Sequence, residues 1–144
     1  MTDLATFFRE KKERLYEEEK RRKEVLEEWQ RALEGLFDNL KRWLQPAEKE
    51  GLKVQPGSRM ITEELLGEYE VPTLTLRFGR QKVEIVPVGR FILGGAGRVD
   101  IDFAGGKTLL IRRTTDGPWL IVREKEEEEL SETTFSALLQ EIFS

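Results

Sequence analysis

Between Val71 and Arg123 apolar and polar residues alternate in short runs, and glycine or Asp-Gly turns separate most of the runs. A period of two sends successive side chains to opposite faces of a strand, so each run predicts a strand with one covered and one wet face. Val71–Phe78 puts Leu74, Leu76 and Phe78 on one side and Thr73, Thr75 and Arg77 on the other, with Pro72 near its start, where a missing donor is tolerated. Gly79-Arg80 leads into Lys82–Val88, which Pro87 is expected to interrupt, and Arg90–Leu93 reads as a short strand before the turn Gly94–Gly97. Arg98–Phe103 turns Val99, Ile101 and Phe103 inward and Arg98, Asp100 and Asp102 outward. Gly105-Gly106 and Asp116-Gly117 then close hairpins onto Lys107–Arg113 and Pro118–Arg123. Nothing between these runs has the length and periodicity of a crossover helix, so the reading is an antiparallel meander of about five to six strands.

The chain ahead of the meander has a different period. From about Asp3 to Leu44 it carries no proline and only Gly35 as a weak point, with Thr2 or Asp3 available as a cap and Pro46 and Gly51 marking the end. A helix of that length reaches roughly 60 Å, and a break before residue 25 is an alternative. Leu26, Trp29, Leu33, Leu36, Leu40 and Trp43 recur in steps of three and four, and Val25, Ala32, Phe37 and Leu44 widen the stripe to one that suits packing on a sheet. Between Arg9 and Glu24 the apolar pattern fades. Glu10–Arg14, Glu17–Arg21, Glu18–Arg22 and Glu19–Lys23 are then expected to support the helix as i,i+4 pairs of about 0.2–0.5 kcal/mol each.

The remaining segments are short. Leu52–Val54 and Arg59–Thr62 read as a small hairpin about the turn Gln55–Ser58. Glu124–Glu129 reads as a solvated charge run that ends the sheet. Ser131 caps a closing helix, Leu130 and Phe135 stand at its staple positions, and Phe135, Leu138, Leu139, Ile142 and Phe143 make its apolar face. The fold class is therefore α+β: a long N-terminal helix, an antiparallel meander and a short C-terminal helix. Residues 1–45 form a charged amphipathic helix that is a candidate to project, and residues 46–144 form one core with residues 25–44.

Composition removes several kinds of chemistry. The 144 residues include no cysteine and no histidine, which excludes thiolate and imidazole nucleophiles and the usual ligands of first-row metals. The net charge of −4 argues against a generally basic nucleic-acid surface. No stretch has the apolar length of a membrane span and the N-terminus lacks a signal-peptide pattern, so a cytoplasmic location is the default expectation. Gly94–Arg98 reads GGAGR but lacks the helix and Gly-Lys-Ser/Thr of a phosphate loop. Asp100 and Asp102 project from one strand face and, with Glu84 or Asp116, are candidates to hold Mg²⁺ or act as an acid/base pair, but a wet strand face accounts for them. The sequence thus nominates no catalytic residue, cofactor or metal ligand.

Two surfaces remain as candidates. One is the N-terminal half of the helix, with Phe7, Phe8, Leu15 and Tyr16 as contacts and Arg22 and Trp29 continuing the surface towards the sheet. Its partner would be another protein or a second copy. The same segment as a nucleic-acid arm through Lys11, Lys12, Arg14 and residues 20–23 is disfavoured by its interspersed acids. The other surface is a basic sheet face, with Arg77, Arg90, Arg112 and Arg113 as anion contacts. The sequence expectation is a non-catalytic interaction or assembly module, with nucleic-acid or anionic-ligand binding through the sheet as the alternative and no membrane partner.

Overall fold

The computed structural model of the chain describes residues 3–144. Its first element is one unbroken helix, α1 (Leu4–Glu48), so no break occurs before residue 25. Asp3 caps it, its side chain accepting from the Thr6 amide at 2.7 Å; the alternative cap, Thr2, lies outside the described residues. The helix runs on past the predicted end at Leu44, through Pro46 to Glu48. A proline this close to a helix C-terminus deprives only the Arg42 carbonyl of its donor, and residue 42 is exposed to water.

Seven strands follow in sequence order, β1-β2-β3-β4-β5-β6-β7, each antiparallel to the next: β1 (Lys53–Glu63), β2 (Gly67–Phe78), β3 (Gln81–Gly89), β4 (Arg98–Phe103), β5 (Gly106–Arg112), β6 (Trp119–Arg123) and β7 (Glu126–Glu129). The meander is as the alternation predicts, but it has more strands and different ends. The expected hairpin about Gln55–Ser58 is instead one continuous strand, β1, paired from Lys53↔Arg77 to Glu63↔Gly67. Pro56 is tolerated because β1 lies at the edge of the sheet. The turn comes later, at Glu64–Leu66, and Gly67 closes it with φ +75, in the left-handed region glycine enters without strain.

Pro87 does not interrupt its strand; it pairs with Val99, and the irregularity comes just after it, between Pro87 and Gly89. Arg90–Leu93 is not a strand but part of the loop between β3 and β4, held by a single bridge between Ile92 and Gly95. The acidic run is not loose either: Glu126–Glu129 pairs with Leu120–Arg123 as the seventh strand. A four-glutamate strand survives there because it is an edge whose side chains stay in water.

Cross-strand register fixes the buried face. Leu76, Val83 and Phe103 lie in one row, Leu74, Ile85, Ile101 and Thr108 in the next, and Val99, Leu110 and Ile121 in a third. Onto these rows α1 sets Trp29, Leu33, Leu36, Phe37, Leu40 and Leu44. The closing helix α2 (Glu132–Phe143) adds Phe135 and Leu138, and Trp43 meets Phe135 with ring centroids 5.9 Å apart. Its N-terminus carries the predicted Ser131 cap, with Thr134 completing a reciprocal box.

The ladder between β2 and β3 covers only Leu74–Phe78 and Gln81–Ile85. Beyond Leu74 the β1–β2 hairpin pairs with itself alone, and β3 continues with β4 alone. The buried positions of β2 change phase at the same place, from Tyr69 and Val71 to Leu74 and Leu76. The seam between β2 and β3 therefore opens towards the hairpin tip, where Trp29 of α1 sits between the two sides. No described helix is long and apolar enough to cross a membrane.

Candidate interaction surface

The opened seam is closed again by side chains. Glu63, the last residue of β1, accepts from the consecutive amides of Arg90 and Phe91 at 3.0 Å each and also from the hydroxyl of Tyr69. Tyr69 in turn accepts from Trp29 Nε1 at 3.0 Å. Burial and the neighbouring Glu63 carboxylate push the Tyr69 hydroxyl well above the ordinary phenol range, so it stays protonated as a donor. A carboxylate thus does for the hairpin tip and the β3–β4 loop what ladder bonds do elsewhere in the sheet.

On the other side of Trp29, Arg112 is buried, 3% exposed, and fully engaged. Its Nη1 and Nη2 donate to the two oxygens of Glu28 at 2.6 and 2.8 Å, and its Nε and Nη2 donate to the Ala96 carbonyl. The guanidinium lies 5.5 Å over the Trp29 ring and 5.9 Å from that of Trp119. The hydrogen bonds from Arg112, together with its charge and those of Arg90 and Arg31, hold the Glu28 carboxyl below its ordinary range against the opposing effect of burial. Arg90 Nε stands 3.9 Å from Glu28, a charge contact rather than a hydrogen bond. These groups fasten α1 to β2, to β5 and to the β3–β4 loop at one level of the helix.

Further towards the N-terminus the helix leaves the sheet. Its last tertiary bond is Arg22 Nη1 to the Leu66 carbonyl, 2.8 Å. Arg22 also pairs with Glu19, three residues back, rather than with the expected Glu18. Leu4–Arg21 then extends into solvent for roughly 27 Å. This arm carries Leu4, Phe7, Phe8, Leu15 and Tyr16, all exposed. Beside its base lie Met60 of β1 and Leu65 of the hairpin turn, with Val88 of β3 and Phe91 and Leu93 of the β3–β4 loop, again exposed. Of the eleven large hydrophobic side chains exposed among the described residues, only Phe78 lies elsewhere. The arm and this rim form two walls of a corner.

The candidates from sequence divide as follows. Phe8, Leu15 and Tyr16 are on the arm and Arg22 at its base. Trp29 is fully buried in the core, a correction to its nomination as a partner contact: its indole fills the opened seam and has no exposed area. The four arginines nominated for anions do not gather. Arg77 lies on β2 opposite Lys53 and Lys82, Arg90 and Arg112 point to Glu28, and Arg113 bonds the Gly94 carbonyl and Glu127. On the helix-free sheet face Asp100 is only 4% exposed, enclosed by Arg98 at 2.7 Å and Lys107 at 3.2 Å, so it is not the wet-face acid the alternation implies. Among the described residues no cluster of three or more acidic side chains has metal-holding geometry.

Sequence reasoning missed the rim and the clamp beneath it. The pair Leu65-Leu66 at a turn and the apolar Phe91 and Leu93 among glycines are the available signals for the rim, but both have the look of strands. Glu28 gives none, because Arg112 lies 84 residues away, and although Glu63 and Tyr69 are only six residues apart, their further partners Arg90 and Trp29 lie 27 and 40 residues away. A second concavity, about 1240 Å³, opens at the opposite end of the sheet between α2 and the β-turns, over Val83, Phe103, Leu138, Ile142 and Phe143. Its charged rim balances Arg80, Lys82, Lys107, Arg123 and Lys125 against Glu84, Asp102, Glu124, Glu126 and Glu141, so it favours neither sign of ligand. Comparison with family models, curated proteins and solved structures finds no match for the chain.

Proposed function

We propose that the protein is a non-catalytic protein-interaction or assembly module whose contact surface is the α1 arm together with the rim at its base. The observation that carries this reading is the concentration of exposed large hydrophobics there, on a helix that extends well past its own sheet. Such side chains gain nothing in water, and large apolar side chains gathered in one exposed region mark a binding site. The clamp of Glu28, Arg112 and Glu63 supports it further, since a rigid base presents both walls in a fixed geometry at little entropic cost on binding.

The test is affinity capture from native lysate together with light scattering, using the wild-type chain and the variants F8E/L15E and F91E/L93E. Circular dichroism checks that each variant keeps its helix and sheet. The reading expects arm and rim variants alike to lose bound protein or dimer mass. A wild-type chain that is monomeric and captures nothing, or variants that bind as the wild type does, would overturn it.

A further inference from the structure

We propose that the occupant of the arm is a second copy of this chain, its own arm running antiparallel with the two-fold axis beside Leu15. The proposal rests on the reading of the arm as a contact surface and names its partner.

The helix face decides the geometry. Arg22 lies seven residues before the buried Trp29 and reaches the hairpin tip, and Leu15 and Phe8 follow at the same spacing. Seven residues make nearly two turns, so these positions prolong the core-facing side of α1 beyond the sheet. At about 100° per residue, the side chains within roughly 60° of Leu15 are Leu4, Phe8, Lys11, Lys12, Glu18, Glu19 and Arg22. On this face both flanking positions towards the N-terminus are therefore lysines, and both towards the C-terminus are glutamates. Glu13 and Glu17 point to the opposite side, by roughly 160°.

That arrangement is self-complementary in one direction only. A parallel, in-register pair would set Lys11 and Lys12 on their own copies and Glu18 and Glu19 on theirs. The antiparallel pair centred on Leu15 sets Lys12 opposite Glu18 and Lys11 opposite Glu19, twice by symmetry, with Leu15 against Leu15 between them. It also brings Phe8 to the level of Arg22, whose bond to the Leu66 carbonyl sets the hairpin-tip end of the rim there on the other copy. Both walls of the corner are covered by one isologous contact, the commonest symmetry of soluble oligomers.

Because the chain has no cysteine, single-cysteine variants report the contact directly. In sedimentation velocity the full-length chain should show a concentration-dependent dimer that weakens as salt rises. Leu15→Cys should cross-link to itself with a short bis-maleimide, and Lys12→Cys should cross-link to Glu18→Cys in a mixture but neither to itself. The charge swaps K11E/K12E and E18K/E19K should each weaken the dimer at least tenfold, and mixing the two should restore association. A parallel pattern, with Glu18→Cys joined to itself, overturns the proposal. So does a chain that is monomeric at every concentration. If that monomer still captures another protein through the arm, the interaction reading stands without the second copy; if capture ignores the arm, both fall.

Discussion

Replacing Glu28 with alanine removes the carboxylate that takes both Nη groups of Arg112 and leaves a guanidinium that is 3% exposed with only the Ala96 carbonyl as acceptor. Breaking a buried pair from one side costs about 3–5 kcal/mol, because the remaining charge loses its partner without regaining water. Glu28 itself is 32% exposed, so water can reach the freed edge, and the lower end, about 3 kcal/mol, applies here. In urea, with a slope of about 2 kcal/mol/M for a chain of this size, the midpoint should fall by about 1.5 M. Tryptophan fluorescence is a suitable probe, since Trp29 and Trp119 both face the guanidinium. Arg112→Met leaves a partly hydrated carboxylate and an apolar side chain between two indoles, and should cost about 2 kcal/mol. The double variant E28A/R112M should then cost well below the sum of the single changes, with a coupling of at least about 2 kcal/mol. If E28A costs under about 1 kcal/mol, or if the single costs simply add, the reasoning that this pair locks the helix to the sheet is wrong.

The same pair gives a pH dependence of known sign. The Glu28 carboxyl is depressed below its ordinary value of 4.5 in the folded protein, so the stability it contributes is complete above about that pH and is lost as pH falls through the lower folded value. Urea midpoints measured between neutral pH and the onset of acid unfolding should decline less steeply for Glu28→Gln than for the wild type. Gly97→Ala should be among the most damaging single changes, at about 3 kcal/mol or more by denaturant titration. Its Cβ would fall well inside van der Waals contact distance of Trp29 Cζ3 and Cη2, and its backbone stands at φ +144. Glu124→Gly should instead raise the thermal midpoint, by about 0.5–1 kcal/mol of stability, since Glu124 occupies the turn between β6 and β7 with φ +45. Glu63→Ala should release the hairpin tip, read as faster hydrogen exchange at the Arg90 and Phe91 amides with β4 and β5 still protected.

The parts of this fold that were legible are those set by local period. The three-and-four stripe from Leu26 to Trp43 made α1 amphipathic wherever it would meet a sheet. Val99, Ile101 and Phe103 alternated clearly enough that β4 occupies the predicted residues without change. The departures occur where tertiary position overrode local preference. Pro56 and the glutamates of β7 do not favour a strand, yet each lies on an edge, where a missing donor or a row of charges is tolerated. Asp100 sits at an outward position, but Arg98 beside it and Lys107 across the ladder enclose it.

For the candidate surface the division has the same cause. The charge order of the arm, with lysines before Leu15 and glutamates after it on one face, is a property of the sequence, because helical periodicity alone fixes which side chains share a side. That this half of α1 stands free, that Trp29 is spent in the core, and that Leu65, Phe91 and Leu93 form a rim at its base were decided only by tertiary structure. Those facts depend on where the β2–β3 seam opens and on contacts between residues dozens of positions apart, such as Arg22 with Leu66 and Glu28 with Arg112. No local pattern records such pairings, since each side chain's own neighbours in sequence are compatible with many partners and packing selects one.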